Sequence, residues 1–363
     1  MEKRRFLGLD GLRGICAITV MLGHCELLFR PGVIVCHSYL AVDMFFMLSG
    51  LVISASYDAR FEQGLGARSF LAARIRRLAP VFWGGMILCG VAALIAPHPS
   101  SLVTVGLALM GAFLIPVLGP ATFAYPINMV AWSLLWELVV NFAYAAGLRR
   151  LRGGWLVAVI AVPLIAALGF AGANPRHWAF GMTGQDVWMG GLRALPEFMF
   201  GVLLYRGGRA GIFQHLPAVT PLLPLAVWLA VSVVPQDVPP LFDLAVVVIV
   251  CPLLIGLLVR SDAQTPAWFR PLGAISYPLY ASHVAFIVLA RYTPLFGLNR
   301  HPDPVRALGV VALCLGTALV LYRTLDPSAD VRRRVSRPVL AANPPFLAEN
   351  EAPGACGAEP KSL

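Results

Sequence analysis

Apolar residues run through this chain in long blocks, separated by short clusters of arginine, proline and glycine. Eleven blocks approach the roughly 20 residues a helix needs to cross a bilayer core. They lie near 8–28, 38–57, 79–97, 102–118, 129–147, 154–172, 190–205, 215–234, 241–259, 271–292 and 304–323. The pattern predicts an all-α, polytopic helix bundle in a membrane.

Basic residues decide how the bundle is threaded. With the N-terminus inside and all eleven blocks crossing, "LRRLRGG" (148–154) and "VRRRVSR" (331–337) would lie outside, against the positive-inside tendency. Removing one crossing between Pro97 and Asn128 repairs every later loop. Lys3–Arg5, Arg60–Arg77, Arg149–Arg152, Arg206–Arg209, Arg260–Arg270 and Arg323–Arg337 then face the cytoplasm, and only Arg30, Arg176, Arg291, Arg300 and Arg306 fall outside. The 102–118 block is short and bracketed by Pro97, Pro99, Pro116 and Pro120, which fits a re-entrant or interfacial segment. Ten crossings are therefore expected, with both termini cytoplasmic.

Composition agrees. The chain is 58% hydrophobic and 13% charged, against about 25% charged in soluble domains, which excludes a soluble protein with a large core. The formal charge of +10 is carried almost wholly by arginine, since Lys3 and Lys361 are the only lysines. That excess reads as topology rather than a nucleic-acid surface. No zinc-like or redox spacing links the seven cysteines, and Cys16, Cys25, Cys89, Cys251 and Cys314 read as small packing residues; no metal centre is predicted. "MEKRRFLGLDGLRG" starts like a signal peptide, but Asp10 and Arg13 interrupt its apolar part and no clean cleavage site follows. It is read as the first membrane helix. A membrane domain is expected over 1–337, with a disordered cytoplasmic tail, rich in Pro, Ala and Glu, over 338–363.

Chemistry enters with "LDGLRGICAITVMLGHC" (9–25). Ionisable residues inside a membrane helix cost at least a few kcal/mol on insertion scales and are usually paired or functional. Arg13 and His24 are eleven residues apart, so at about 100° per residue they share a face to within roughly 20°, about 16 Å apart along the axis. The alternative is an arginine that snorkels and a histidine packed on a neighbouring backbone. In "YLAVDMFFMLSGLVISASY" (39–57), Asp43 lies about five residues below the outer end, at the depth of His24. A carboxylate there would orient the imidazole as a general base, or simply join two helices.

These residues carry a resemblance. "LDGLRGICAITVMLGH", "AVDMFFMLSGLVIS" (41–54) and "SFLAARIRRLAPVFW" (69–83) are similar to segments of the acyltransferase 3 family, integral-membrane O-acyltransferases of envelope polysaccharides, peptidoglycan, lipid-linked sugars and some antibiotics. The family's Arg-ten-residues-His pattern falls on Arg13 and His24, and its cytoplasmic arginine motif on Arg74 and Arg77, with Arg76 beside them. "AWSLLWELVVNFAY" (131–144), with Glu137, "LRALPEFMFGVLLYR" (192–206) and "ISYPLYASHV" (275–284), with His283, resemble later family signatures. The likeness reaches to about residue 335. It departs at "LDPSAD" (325–330), where relatives often have Glu-x-Pro, and at Ala281 and Ser282, where a bulkier residue is common.

The resemblance implies acyl-CoA, with acetyl-CoA the commonest form, as a cytoplasmic donor substrate rather than a resident cofactor. Arg74, Arg76 and Arg77 would hold its phosphates, Arg13 its extended arm, and His24 would act as base or acyl carrier with Asp43 orienting it. For the three arginines the alternative is topology alone. Glu137 enters from outside and either positions the acceptor hydroxyl or ties helices together. His283, about 18 Å into its helix, either approaches the His24 layer or bonds backbone freed by Pro278. Arg193 is expected to pair with an acidic neighbour. The acceptor would be a carbohydrate or a lipid-linked molecule of the envelope, the location the inner membrane. Some relatives carry an added hydrolase-like domain, so a separate soluble acyl-transfer protein is a further expected partner. The rival class is a transporter, which ten helices and intramembrane charges also suit, although no internal symmetry is visible in the sequence.

Overall fold

The computed structural model describes residues 6–29, 35–96, 100–120, 123–174, 176–292 and 304–327. The 338–363 tail, the 331–337 basic run, Arg30, Arg300 and the side chain of Arg306 lie outside it. Among the described residues every apolar block is helical: α1 Leu7–Phe29, α2 Leu40–Glu62, α3 Ala67–Ile95, α4 Ser101–Ala112, α5 Ala131–Ala146, α6 Gly153–Ala173, α7 Val187–Arg209, α8 Leu222–Ser232, α9 Pro240–Arg260, α10 Phe269–Tyr292 and α11 Pro304–Leu325. No strand forms among the described residues, and one isolated bridge joins Phe123 to Thr183. Among the described residues seven helices are long and apolar enough to cross a membrane: α2, α3, α6, α7, α9, α10 and the Ala307–Leu325 part of α11. The protein is an all-helical, multi-pass membrane bundle.

Two elements differ from their apolar blocks for local reasons. Helix α3 begins at Ala67, about three turns before its block at 79, because "ARSFLAARIRRL" is rich in good helix formers even where it is polar. In α9, Pro252 has no N–H to return to residue 248, and the helix passes this point through a π turn at Val246–Val250.

Side-chain contacts fix the helix directions. Ser49 meets Glu137 and, farther along both helices, Asp58 meets Tyr144, so α2 and α5 are parallel. Asp43 meets Arg193 and Gly50 packs on Phe198, so α7 is parallel to them. Helix α10 follows α1, from Asp10 against Gly273 to His24 against His283, and it follows α3, from Leu78 against Tyr277 to Gly85 against Ala281. Since α3 reverses the chain between the parallel α2 and α5, α4 leaves that direction unchanged. Its 12 residues reach only about 18 Å, and it lies on the outside of α3, where Trp83 donates to the Ala112 carbonyl.

At the α2–α7 crossing the backbones touch. A Cβ on Gly50 would sit 1.9 Å from the Phe198 carbonyl oxygen, and one on Gly201 would sit 1.9 Å from that of Met47. Small residues permit such an approach, and the packing it allows replaces the hydrophobic drive that lipid does not supply. Gly201→Val is therefore expected to destabilise the bundle by about 3 kcal/mol, read as a lower thermal midpoint in detergent. An unchanged midpoint would show that the helices separate freely.

Candidate active site

The centre of the site is a pair of histidines brought together from opposite ends of the chain. His24 Nδ1 lies 2.7 Å from His283 Nε2, the rings stacked with centroids 5.0 Å apart and planes 13° from parallel. His283 is fully buried and its Nδ1 lies 2.9 Å from the Leu279 carbonyl. A carbonyl only accepts, so for neutral rings Nδ1 of His283 carries the proton and its Nε2 holds the lone pair. His24 must then donate from Nδ1, and its own Nε2 is left with the lone pair. The half-buried His24 is thus held in the tautomer a general base requires. The structure brings His283 to His24, and the backbone it bonds is the Leu279 carbonyl, not that freed by Pro278.

Tyr280 supports the pair from one turn earlier in α10. Its ring centroid lies 6.2 Å from that of His283, its hydroxyl is 2.7 Å from Ser133 Oγ, and Phe45 packs edge-on against it. Asn128 donates to the Ala281 carbonyl at 3.0 Å and so ties the start of α5 to the same stretch.

Toward the basic end, Arg74 is only 7% exposed. It donates from Nη2 to Glu137 Oε1 at 3.0 Å, and the same oxygen accepts from Ser49 Oγ at 2.6 Å and Asn141 Nδ2 at 3.1 Å. Glu137 is therefore a tie between α2, α3 and α5, the second of the two roles expected for it. Arg77 lies one turn from Arg74 on the same face, and the charges acting on it are those of Arg74, Arg13 and Asp326. Tyr277, whose hydroxyl donates to the Leu78 carbonyl at 2.9 Å, lies in the same field as Arg74, Arg77, Glu137 and Asp326. Arg74 and Arg13 thus act electrostatically on Arg77, with Glu137 and Asp326 as the opposing charges in the same region.

Arg76 is not part of this cluster. It lies about 160° around α3 from Arg74, on the stripe continued by the exposed Trp83, Ile87, Val91 and Leu94. The structure thus does not bring the three arginines together as expected, since Arg76 points from α3 in another direction than Arg74.

Asp43 is also corrected. It is fully buried, but its partner is Arg193, which donates from Nε to Oδ1 at 2.9 Å and from Nη2 to Oδ2 at 2.7 Å. Trp178 Nε1 adds a longer contact of 3.4 Å. Arg193 also donates to the Phe180 and Tyr39 carbonyls and lies over the Trp132 and Phe180 rings. The acidic neighbour expected for Arg193 is thus the residue assigned to His24. Sequence reasoning also missed Ser49 and Asn141, neither of which stands out from ordinary polar punctuation of an apolar helix, and gave no role to Tyr277 or Asp326.

Comparison with known proteins gives the same direction as the geometry. A family model described as an acyltransferase domain matches residues 6–323. The chain is 33% identical over 184 residues, 45% of its own length and 93% of the relative's, to "Protein 2 in picA locus" of Rhizobium radiobacter. It is 30% identical over 134 residues to "Exopolysaccharide production protein ExoZ" of Rhizobium meliloti (strain 1021), a match covering 36% of this chain and 40% of that protein. No solved structure matches.

Proposed function

This chain belongs to the acyltransferase 3 family, and we propose that it moves an acyl group, acetyl foremost, from acyl-CoA at its basic end to an acceptor hydroxyl near its other end. The chain is an O-acyltransferase-type enzyme. The observation that carries the reaction is the hydrogen-bond chain from Leu279 through His283 to His24. His24 Nε2 takes the proton of the acceptor hydroxyl as its oxygen attacks the thioester carbonyl. The C–S bond breaks, and the protonated imidazole returns its proton to the departing CoA thiolate. The positive charge formed on His24 in between is shared with His283 through the Nδ1–H bond.

Arg13, Arg74 and Arg77 suit the donor's phosphates, and the roughly 16 Å from Arg13 to His24 along α1 suits a ligand with charged groups at one end and a thioester at the other. Arg74→Ala is expected to raise the apparent KM for acetyl-CoA about tenfold or more, while Arg76→Ala leaves it unchanged. Equal KM values in the two variants would remove Arg74 from the donor site.

Ten crossings, with α4 as the segment that does not cross, fit the helix directions above. Among the described residues Arg60, Arg68, Arg149, Arg150, Arg152, Arg206, Arg209, Arg260, Arg270 and Arg323 gather at one end, with Arg176 and Arg291 toward the other. That asymmetry supports a cytoplasmic basic end and cytoplasmic termini in the inner membrane. The name of the Rhizobium meliloti relative suggests an exopolysaccharide or its lipid-linked precursor as acceptor, and a soluble acyl-transfer partner stays part of the reading. The test is labelled acetyl-CoA in membranes with and without the protein, following both label and free CoA. Label in a glycan or lipid fraction with matching CoA release supports it. Protein-dependent uptake of a glycan precursor with no release would return the transporter.

A further inference from the structure

A second feature of the basic end lies on the α5–α7 side of the inner end of α2. Here a cavity of about 580 Å³ is lined by Arg149, Arg150, Arg152, Arg206 and Arg209, with Asp58, Glu62 and Tyr205. Five guanidinium groups face two carboxylates, and Asp58 is already engaged by Ser54 and Tyr144. The cavity is built, not a chance crowding of surface charge. Arg206 donates to the Leu151 and Arg149 carbonyls at 2.6 Å each, and the Arg149 guanidinium lies 4.9 Å over the Phe61 ring. The loop between α5 and α6 is thereby clamped onto the end of α7, leaving Arg150, Arg152 and Arg209 exposed at the rim.

Directly along the same helices an apolar groove of about 300 Å³ runs between α6, α7 and α9, lined by Val157, Leu164, Ile165, Phe200, Leu203 and Leu244 among others. The two features are joined by sequence: Phe200, Leu203 and Arg206 follow one another at three-residue steps on α7, and Val157 lies five residues after Arg152 on α6. Trp155, near the start of α6 and 77% exposed, marks the level at which aromatic rings settle in the headgroup region.

We propose that this crease binds an anionic phospholipid, its phosphate in the arginine cavity and an acyl chain in the groove. Guanidinium forks match phosphate oxygens, and basic pockets between helices at the membrane surface take anionic headgroups. The groove's length selects a phospholipid over a longer polyprenyl chain. Val157 to Ile165 covers about 12 Å along α6, close to the depth of one leaflet of a ~30 Å core. The crease is separate from the His24 site, and the inference does not depend on acyl transfer.

The experiment is native mass spectrometry of the detergent-purified full chain, given equal phosphatidylglycerol and phosphatidylcholine, with inorganic pyrophosphate and a polyprenyl diphosphate as competitors. The wild type is expected to retain phosphatidylglycerol at least about tenfold over phosphatidylcholine, and Arg150→Gln/Arg152→Gln/Arg209→Gln to lose that preference. Ala161→Trp, which fills the groove and leaves the arginines intact, is expected to weaken retention as well. Undiminished preference in both variants would overturn the proposal. So would displacement by pyrophosphate with no effect of Ala161→Trp, which would make the occupant a soluble phosphate ester, or displacement by the polyprenyl diphosphate at equal concentration, which would make it that lipid instead.

Discussion

His24→Ala is expected to lower acyl transfer by about 10²–10⁴-fold, the usual contribution of a positioned base, while the protein still folds and inserts. His24 is half-buried, and among the described residues the ring it stacks on is that of His283, so truncation removes little packing. The loss falls on the reaction because the Nε2 lone pair disappears with the ring. His283 separates base chemistry from mere contact. His283→Leu leaves His24 Nδ1–H without an acceptor, so the ring is free to turn and to take the other tautomer. His283→Gln offers a carbonyl in that direction and should recover part of the activity. The readout is CoA release and label transfer from labelled acetyl-CoA at matched protein levels, with thermal midpoints alongside. Full activity in His24→Ala would exclude it as base or acyl carrier. Equal activity in His283→Leu and the wild type would exclude the tautomer chain.

The bundle was legible in the sequence because each apolar block is long enough to be a helix, the structure in which a single segment satisfies its own backbone groups in lipid. Arginine placement, read along the chain, set the 102–118 block apart from the others, and its helix is the short α4. The site was legible in depth but not in direction. Asp43 and His24 do lie toward the same end, yet Asp43, Met47 and Gly50 form the face of α2 that packs on α7, while Phe45 and Ser49 face α10 and α5. Helix α2 is buried nearly all round, so no polar stripe reveals which face is which. For the arginines the direction was available: three-residue spacing places Arg74 with Arg77 and sets Arg76 apart. The His24–His283 contact spans 259 positions, and sequence carries it only as two residues at comparable depth.

Asp43→Ala should behave in the opposite way to His24→Ala, losing stability rather than chemistry. Removing one partner of a buried ion pair costs about 3–5 kcal/mol, because the other charge stays buried and uncompensated. Arg193 keeps its bonds to the Phe180 and Tyr39 carbonyls and its place over two aromatic rings, but these do not cancel a full charge. Arg193→Ala adds a cavity and frees both carbonyls, so it should be at least as severe. The double variant should cost less than the sum of the singles, since neither Asp43 nor Arg193 is then left without the other. Thermal midpoints of detergent-solubilised protein give the coupling, and turnover per folded molecule gives the role. If Asp43→Ala melts early but retains turnover below its midpoint, the pair is the bolt that holds α2 to α7 and the 176–187 loop. If it melts normally and turnover collapses, the carboxylate serves the reaction after all, and the pairing with Arg193 must open during the catalytic cycle.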